Sequence, residues 1–119
     1  MIKITLIFAV FLFFTGCSQK TKKLNEHYYQ TKLCKELDGE MEYVLKDKTR
    51  VDCLTNKYAI EVDFAKKWAE GVGQSLYYGY MTSKQPAVGL IVGSKDKRYL
   101  KRLQKLSKRY NIKIFVIEK

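Results

Sequence analysis

Residues 50–63, Arg50-Val-Asp-Cys-Leu-Thr-Asn-Lys-Tyr-Ala-Ile-Glu-Val-Asp63, decide the fold, because they read as two strands closed by a tight turn. β-Branched and aromatic residues recur in both arms, and Thr55-Asn56-Lys57 is the polar break between them. With Asn56-Lys57 as a two-residue loop, Asp52 falls opposite Glu61 and Arg50 opposite Asp63. Side chains alternate along a strand, so Glu61 and Asp63 share a face with Asp52 while Ile60 and Val62 take the other. Three carboxylates then crowd one patch, and like charges facing one another destabilise a sheet unless something compensates them. Mg²⁺ is the obvious compensation, since it uses one or two carboxylates together with water and phosphate oxygens.

Upstream, Glu40 to Leu45 alternates Met41, Tyr43 and Leu45 against Glu40 and Glu42, and Lys46 to Thr49 is a turn. Before it, Leu24, Tyr28, Leu33 and Leu37 recur near helical spacing, and Asp38-Gly39 supplies a stop. Downstream, Ala65 to Ser83 reads as a helix with Trp68, Val72, Leu76 and Gly79 as its buried stripe. Gly71, Gly73 and Gly79 each cost a helix up to about 1 kcal/mol, so close packing on the sheet is the expected reason for them. A buried strand follows Pro86, from Ala87 to Val92. Ser94 or Asp96 then caps a helix running to about Tyr110, with Tyr99, Leu103, Leu106 and Tyr110 inward. Ile112 to Ile117 is the last strand. The expected class is α/β (α+β), in the order α-β-β-β-α-β-α-β, with a mixed central sheet flanked by helices.

The N-terminus sets the location. Lys3, an apolar run from Ile4 to Phe14 and the small residues Thr15-Gly16 before Cys17 are the parts of a secretory signal. Eleven apolar residues fall short of the roughly 20 needed to span a bilayer, which disfavours a transmembrane anchor. Phe14-Thr15-Gly16-Cys17 resembles a bacterial lipobox. That likeness implies cleavage after residue 16, acylation (palmitate among the chains) at Cys17, and export. Ser18 after the cysteine implies the periplasmic side of the outer membrane if the cell is Gram-negative. The expected organisation is a signal peptide at 1–16, a lipidated cysteine and tether at 17–23, and one domain at 24–119. Cys34 and Cys53 then remain, and the readings open to them are a disulfide, two buried thiols or, least in keeping with their spacing, a metal pair.

The acids in this setting, with Gln74-Ser-Leu-Tyr-Tyr78 on the following helix, resemble the core of the PD-(D/E)xK nuclease superfamily, which includes restriction endonucleases, archaeal junction resolvases and RecB-type exonucleases. The resemblance covers roughly Leu24 to Val92 and implies a restriction-endonuclease-like core. It further implies Mg²⁺ held by Asp52 and Glu61, with an upstream acid matched by Glu42 or, less well, Glu40. Gln74 and Tyr78 would lie beside the substrate, with Arg50 adjacent. The chain departs from the pattern at Asp63, where the family carries a lysine. Lys66 or Lys67 could substitute. Lys67 is preferred because the steps from Lys67 to Gln74 and from Gln74 to Tyr78, seven and four residues, keep all three on one helical face. The catalytic set implied is Asp52, Glu61, Asp63 and Lys67. Three outcomes stay open: a Mg²⁺-dependent nuclease; a non-catalytic lipoprotein of the same fold that binds nucleic acid, an anionic envelope surface or a protein partner; or a structural component of the envelope.

Charge bears on the partner. The chain carries 23 basic and 12 acidic residues, net +11 with its one histidine neutral, which suits an anionic partner and equally keeps a small exported domain soluble. Lys97, Lys101, Lys105 and Lys108 form a broad basic face on the last helix. Such a face can neutralise phosphates without reading sequence, lie against an anionic leaflet, or simply be solvated. His27 has no second histidine to join in a zinc site or triad and reads as a surface residue.

Overall fold

Asn25 caps the first helix: its side-chain oxygen accepts the backbone N–H of Tyr28 at 3.0 Å. The computed structural model describes residue 16 and residues 23–119; the signal-like run up to Thr15, Cys17 and residues 18–22 of the tether lie outside the described residues. The elements are α1 (Glu26–Glu36), β1 (Glu40–Val44), β2 (Arg50–Leu54), β3 (Tyr58–Phe64), a 3₁₀ turn (Ala65–Lys67), α2 (Trp68–Thr82), β4 (Gln85–Val92), α3 (Lys97–Tyr110) and β5 (Lys113–Glu118). The five strands lie in the order β1-β2-β3-β4-β5. The molecule is therefore a mixed α+β structure built on one mixed sheet.

Connection length explains the strand directions. Short turns join β1 to β2 and β2 to β3, and these pairs are antiparallel. Helices α2 and α3 make the crossovers that let β3, β4 and β5 run parallel. The first turn is held by Asp47, whose Oδ1 accepts both the N–H and the hydroxyl of Thr49 at 3.1 and 2.6 Å. In the second, the Thr55 hydroxyl accepts the N–H groups of Lys57 and Tyr58 at 3.2 and 2.8 Å.

Both faces of the sheet are covered. Ile60, Val62, Ala87 and Ile91 pack with Tyr29, Leu33 and Cys34 of α1. Val88 and Leu90 pack on the other face with Val72 of α2 and Leu103 of α3. Side chains such as Ile60, Ile91, Leu90 and Leu103 are wholly inaccessible, and each stabilises the fold by about 1.5–3 kcal/mol through burial. A disulfide joins Cys34 to Cys53, which stand 19 positions apart in sequence with Cα atoms 5.7 Å apart. Gly39 lies against it: a Cβ there would stand 2.9 Å from the Cys34 sulfur and closer still to that of Cys53. The sheet, its cores and the disulfide all fall within residues 23–119.

Several local expectations need correction. The buried face of α1 is Tyr29, Gln30, Leu33 and Cys34, whereas Leu24 precedes the helix and Tyr28 is half exposed. Tyr110 is also half exposed, and Leu103 is the buried residue of α3, with Tyr99, Leu100 and Leu106 packed beside it. Asp96 stands at the N-cap position without a capping bond; its Oδ2 instead accepts the N–H of Gly93 at 2.8 Å. Gly71 and Gly79 do face crowded surroundings, Gly79 against Pro86, but Gly73 faces open space.

Candidate functional site

The β2–β3 ladder pairs Leu54 with Ala59 and Cys53 with Ile60, and goes no further. Beyond it the Asp52 carboxylate stands in for a backbone acceptor: its Oδ2 takes the N–H of Val62 at 2.8 Å. The expected pairing of Arg50 with Asp63 is therefore not formed. Arg50 is opposite Val44 of β1, and its Nε lies 3.8 Å from Glu42. Strand β2 also changes face here. Cys53 joins the core beneath α1, while Val51 packs with Leu45, Ala59 and Tyr78. Glu42 in β1 adopts φ 54°, a left-handed conformation that residues other than glycine seldom take.

Gln30 ties this irregular region to α1. Its Nε2 donates to Glu42 Oε1 and to the Asp52 carbonyl, both at 2.9 Å, and the side chain is buried. Glu61 and Asp63, 7% and 5% exposed, lie farther along β3, and Glu61 Oε2 and Asp63 Oδ2 are buried with no hydrogen-bond partner. Orphaned buried carboxylate oxygens are costly unless protonated or matched by a cation. Burial pushes Glu61 up to about 9, with the charges of Asp52 and Asp63 adding to it. Burial also raises Asp52 to about 6 against the pull of the Val62 N–H. Asp63 rises to about 7, again chiefly through burial, with Lys67 opposing. The metal-free carboxyls thus retain protons at pH values where ordinary carboxylates are charged.

Asp52, Glu61 and Glu42 line an open cavity of about 660 Å³ together with Gln74 and Tyr78 of α2. The structure brings these five expected residues, and Arg50, to one place. Asp63 and Lys67 do not line it. Asp63 is turned beneath α2, where a Cβ on Gly71 would stand 3.0 Å from its Oδ2. Lys67 ends a 3₁₀ turn before α2 begins, so the change of helical pitch takes it out of phase with Gln74 and Tyr78; it lines a different cavity with Phe64 and Lys119. Glu40 pairs with Leu54 at the far end of β1. The exposed lysines 97, 101, 105 and 108 of α3 line no part of the acidic cavity. Sequence reasoning missed Gln30, Glu26 and His27 on α1 and Lys48 in the hairpin turn, all of which border the cavity. Gln30 had a signal, since it stands three and four residues before Leu33 and Cys34, in phase with the buried face.

Among the described residues no three His, Cys, Asp or Glu side chains meet closely enough to hold a metal ion. The three-ligand set of Asp52, Glu61 and Glu42 is accordingly reduced, because Glu42 is engaged by Gln30 and Arg50. Two carboxylates remain, Asp52 and Glu61, and that number fits a Mg²⁺ ion whose other positions are filled by water and phosphate oxygens.

The chain is 32% identical over 103 residues to "Putative KilA-N domain-containing protein L33" of Acanthamoeba polyphaga mimivirus. The match takes in 85% of this chain but only 38% of the viral protein's length. No family model and no solved structure matches the chain. No helix among the described residues is long and apolar enough to cross a membrane.

Proposed function

We propose that the chain is an exported, lipid-anchored domain in which Asp52 and Glu61 bind Mg²⁺ to hydrolyse phosphodiester bonds in nucleic acid. The observation that carries this reading is the unpartnered, buried oxygen of Glu61 beside Asp52 in an open cavity. A carboxyl that costs the fold stability when ionised is best explained by a ligand that needs it ionised. The PD-(D/E)xK resemblance supports the same assignment. Lipid anchoring rests on the lipobox-like Phe14-Thr15-Gly16-Cys17.

When bound, Mg²⁺ supplies a Lewis acid for a phosphoryl oxygen and lowers the pKa of a water molecule. The protein's own part is positional. The Val62 N–H fixes one oxygen of Asp52, and the Asp52 and Glu61 carboxyls hydrogen-bond to each other. Glu61 must release its proton to become a ligand, which burial resists, so occupancy rises with pH. Gln74 and Tyr78 offer an amide and a hydroxyl from one wall, and Lys48 and Arg50 offer positive charge to substrate phosphates from the other.

Asp63 in the position of the family lysine, with Lys67 outside the cavity, favours a second reading in which metal and nucleic acid are bound without hydrolysis. Calorimetry with Mg²⁺, beside cleavage of labelled single- and double-stranded DNA and RNA in Mg²⁺ or Mn²⁺, separates the two. Both signals should be present in the wild type and lost in a folded Glu61→Ala variant. Binding without cleavage supports the second reading, and absence of both overturns the metal site.

A further inference from the structure

Six lysines, Lys23, Lys66, Lys67, Lys95, Lys97 and Lys119, are exposed at the end of the molecule where the parallel strands finish. Lys66 and Lys67 follow β3, Lys95 and Lys97 follow β4, and Lys119 follows β5. They rim two adjoining basins of about 820 and 260 Å³ that share Lys66, Asp96 and Lys119. Apolar side chains lie between the lysines: Val92, Leu100 and the half-exposed Val116 in the larger basin, Phe64 in the smaller. Asp96 and Glu118 are the acids present. Asp96 is already engaged by the Gly93 N–H and by Lys119, 3.7 Å away. Among the described residues, the other five lysines have no carboxylate within salt-bridge distance.

We propose that this end is a docking face for an anionic lipid bilayer. The chain enters the domain here, since Lys23 itself lines the smaller basin. Cys17 is six residues upstream, so an extended tether spans only about 20 Å. An acyl chain on Cys17 would hold this end, and not the opposite one, against the membrane. A cationic rim around apolar side chains also matches the headgroup region, where ammonium groups meet lipid phosphates and apolar atoms meet the acyl boundary. Nucleic acid fits less well, because none of the six lysines lines the acidic cavity where its phosphates would be needed. The inference rests on the proposed function for the anchor at Cys17 and for the place of the nucleic-acid site.

The test uses residues 18–119 without lipid, so that binding does not depend on acylation. Co-sedimentation is measured with vesicles of phosphatidylcholine alone and with added phosphatidylglycerol, across a range of salt. Binding should require the anionic lipid and weaken as salt rises. Each lysine near such a surface contributes roughly fivefold to partitioning, so Lys66→Glu with Lys95→Glu should weaken it by at least about 25-fold. The matched pair Lys57→Glu with Lys84→Glu reverses two charges at the opposite end, before β3 and β4, and should cost far less. Circular dichroism confirms that both variants fold. Equal losses in the two pairs, binding indifferent to lipid charge, or binding of a labelled oligonucleotide through Lys66 and Lys95 without vesicle binding would each overturn the proposal.

Discussion

Replacing Glu61 with glutamine should make the metal-free protein more stable, and increasingly so as the pH rises. The unfolded chain releases this proton near the ordinary value of 4.5, whereas the folded chain keeps it up to about 9. Between those limits the native state binds more protons than the unfolded state, so stability falls with rising pH. The slope is about 1.4 kcal/mol per pH unit for one group. From about pH 5 to about pH 8, Glu61 alone therefore removes up to about 4 kcal/mol, a large share of the total stability of a small domain. Glutamine has the same shape and carries no such penalty, while Asp52, raised to about 6, and Asp63, raised to about 7, lower the stability of both proteins as the pH rises. Urea unfolding in a chelating buffer at a series of pH values gives the two curves, which should converge near pH 5 and diverge above it. Mg²⁺ at about a hundred times its apparent Kd, at about pH 8, should narrow the gap by about 2.7 kcal/mol, since only the wild type gains a ligand that binds the ionised site. Parallel curves without metal would refute the burial argument, and an equal gain from Mg²⁺ in both proteins would refute the metal assignment.

Three further outcomes follow from packing. Gly39→Ala forces a methyl group onto the disulfide sulfurs and should cost about 1–3 kcal/mol by overpacking, read as a fall in Tm under oxidising conditions. Changing both Cys34 and Cys53 to serine releases a 19-residue closure and should cost about 3 kcal/mol in the chain-entropy model, measured by urea unfolding. Gln30→Ala strips a donor from Glu42 and from the Asp52 carbonyl. It should cost about 1–3 kcal/mol and weaken Mg²⁺ binding in the calorimeter, whereas Gln74→Ala should leave stability nearly unchanged.

The residues that were legible in the sequence are those governed by one periodicity. Alternation in β3 separates Ile60 and Val62, which face α1, from Glu61 and Asp63, and the four-residue step from Gln74 to Tyr78 carries both into the cavity. Legibility ended where one element interrupts another. The β2–β3 ladder stops because a side chain, Asp52, takes a backbone donor, and nothing in the local composition signals that exchange. The turn at Glu42 was equally hidden, because its left-handed backbone occupies a residue type that gives no warning of it. Lys67 was misplaced because helical phase was extended through a 3₁₀ turn. Gln30 is hidden because it is a polar residue on the buried face of α1, while the apolar Leu24 and Tyr28 point the phase to another face.

The disulfide and Gln30 act on β2 from neighbouring turns of the same helix. Cys34 is covalently joined to Cys53, and one turn earlier Gln30 holds the carbonyl of Asp52, the adjacent residue. The helix thus behaves as a splint pinned at two points, one of which does not open by thermal fluctuation. In the oxidised chain the acid-bearing end of β2 can move only as far as that pin allows, although its ladder to β3 has ended. Without the disulfide, that strand end would keep only the Gln30 hydrogen bond and side-chain packing as its ties to α1.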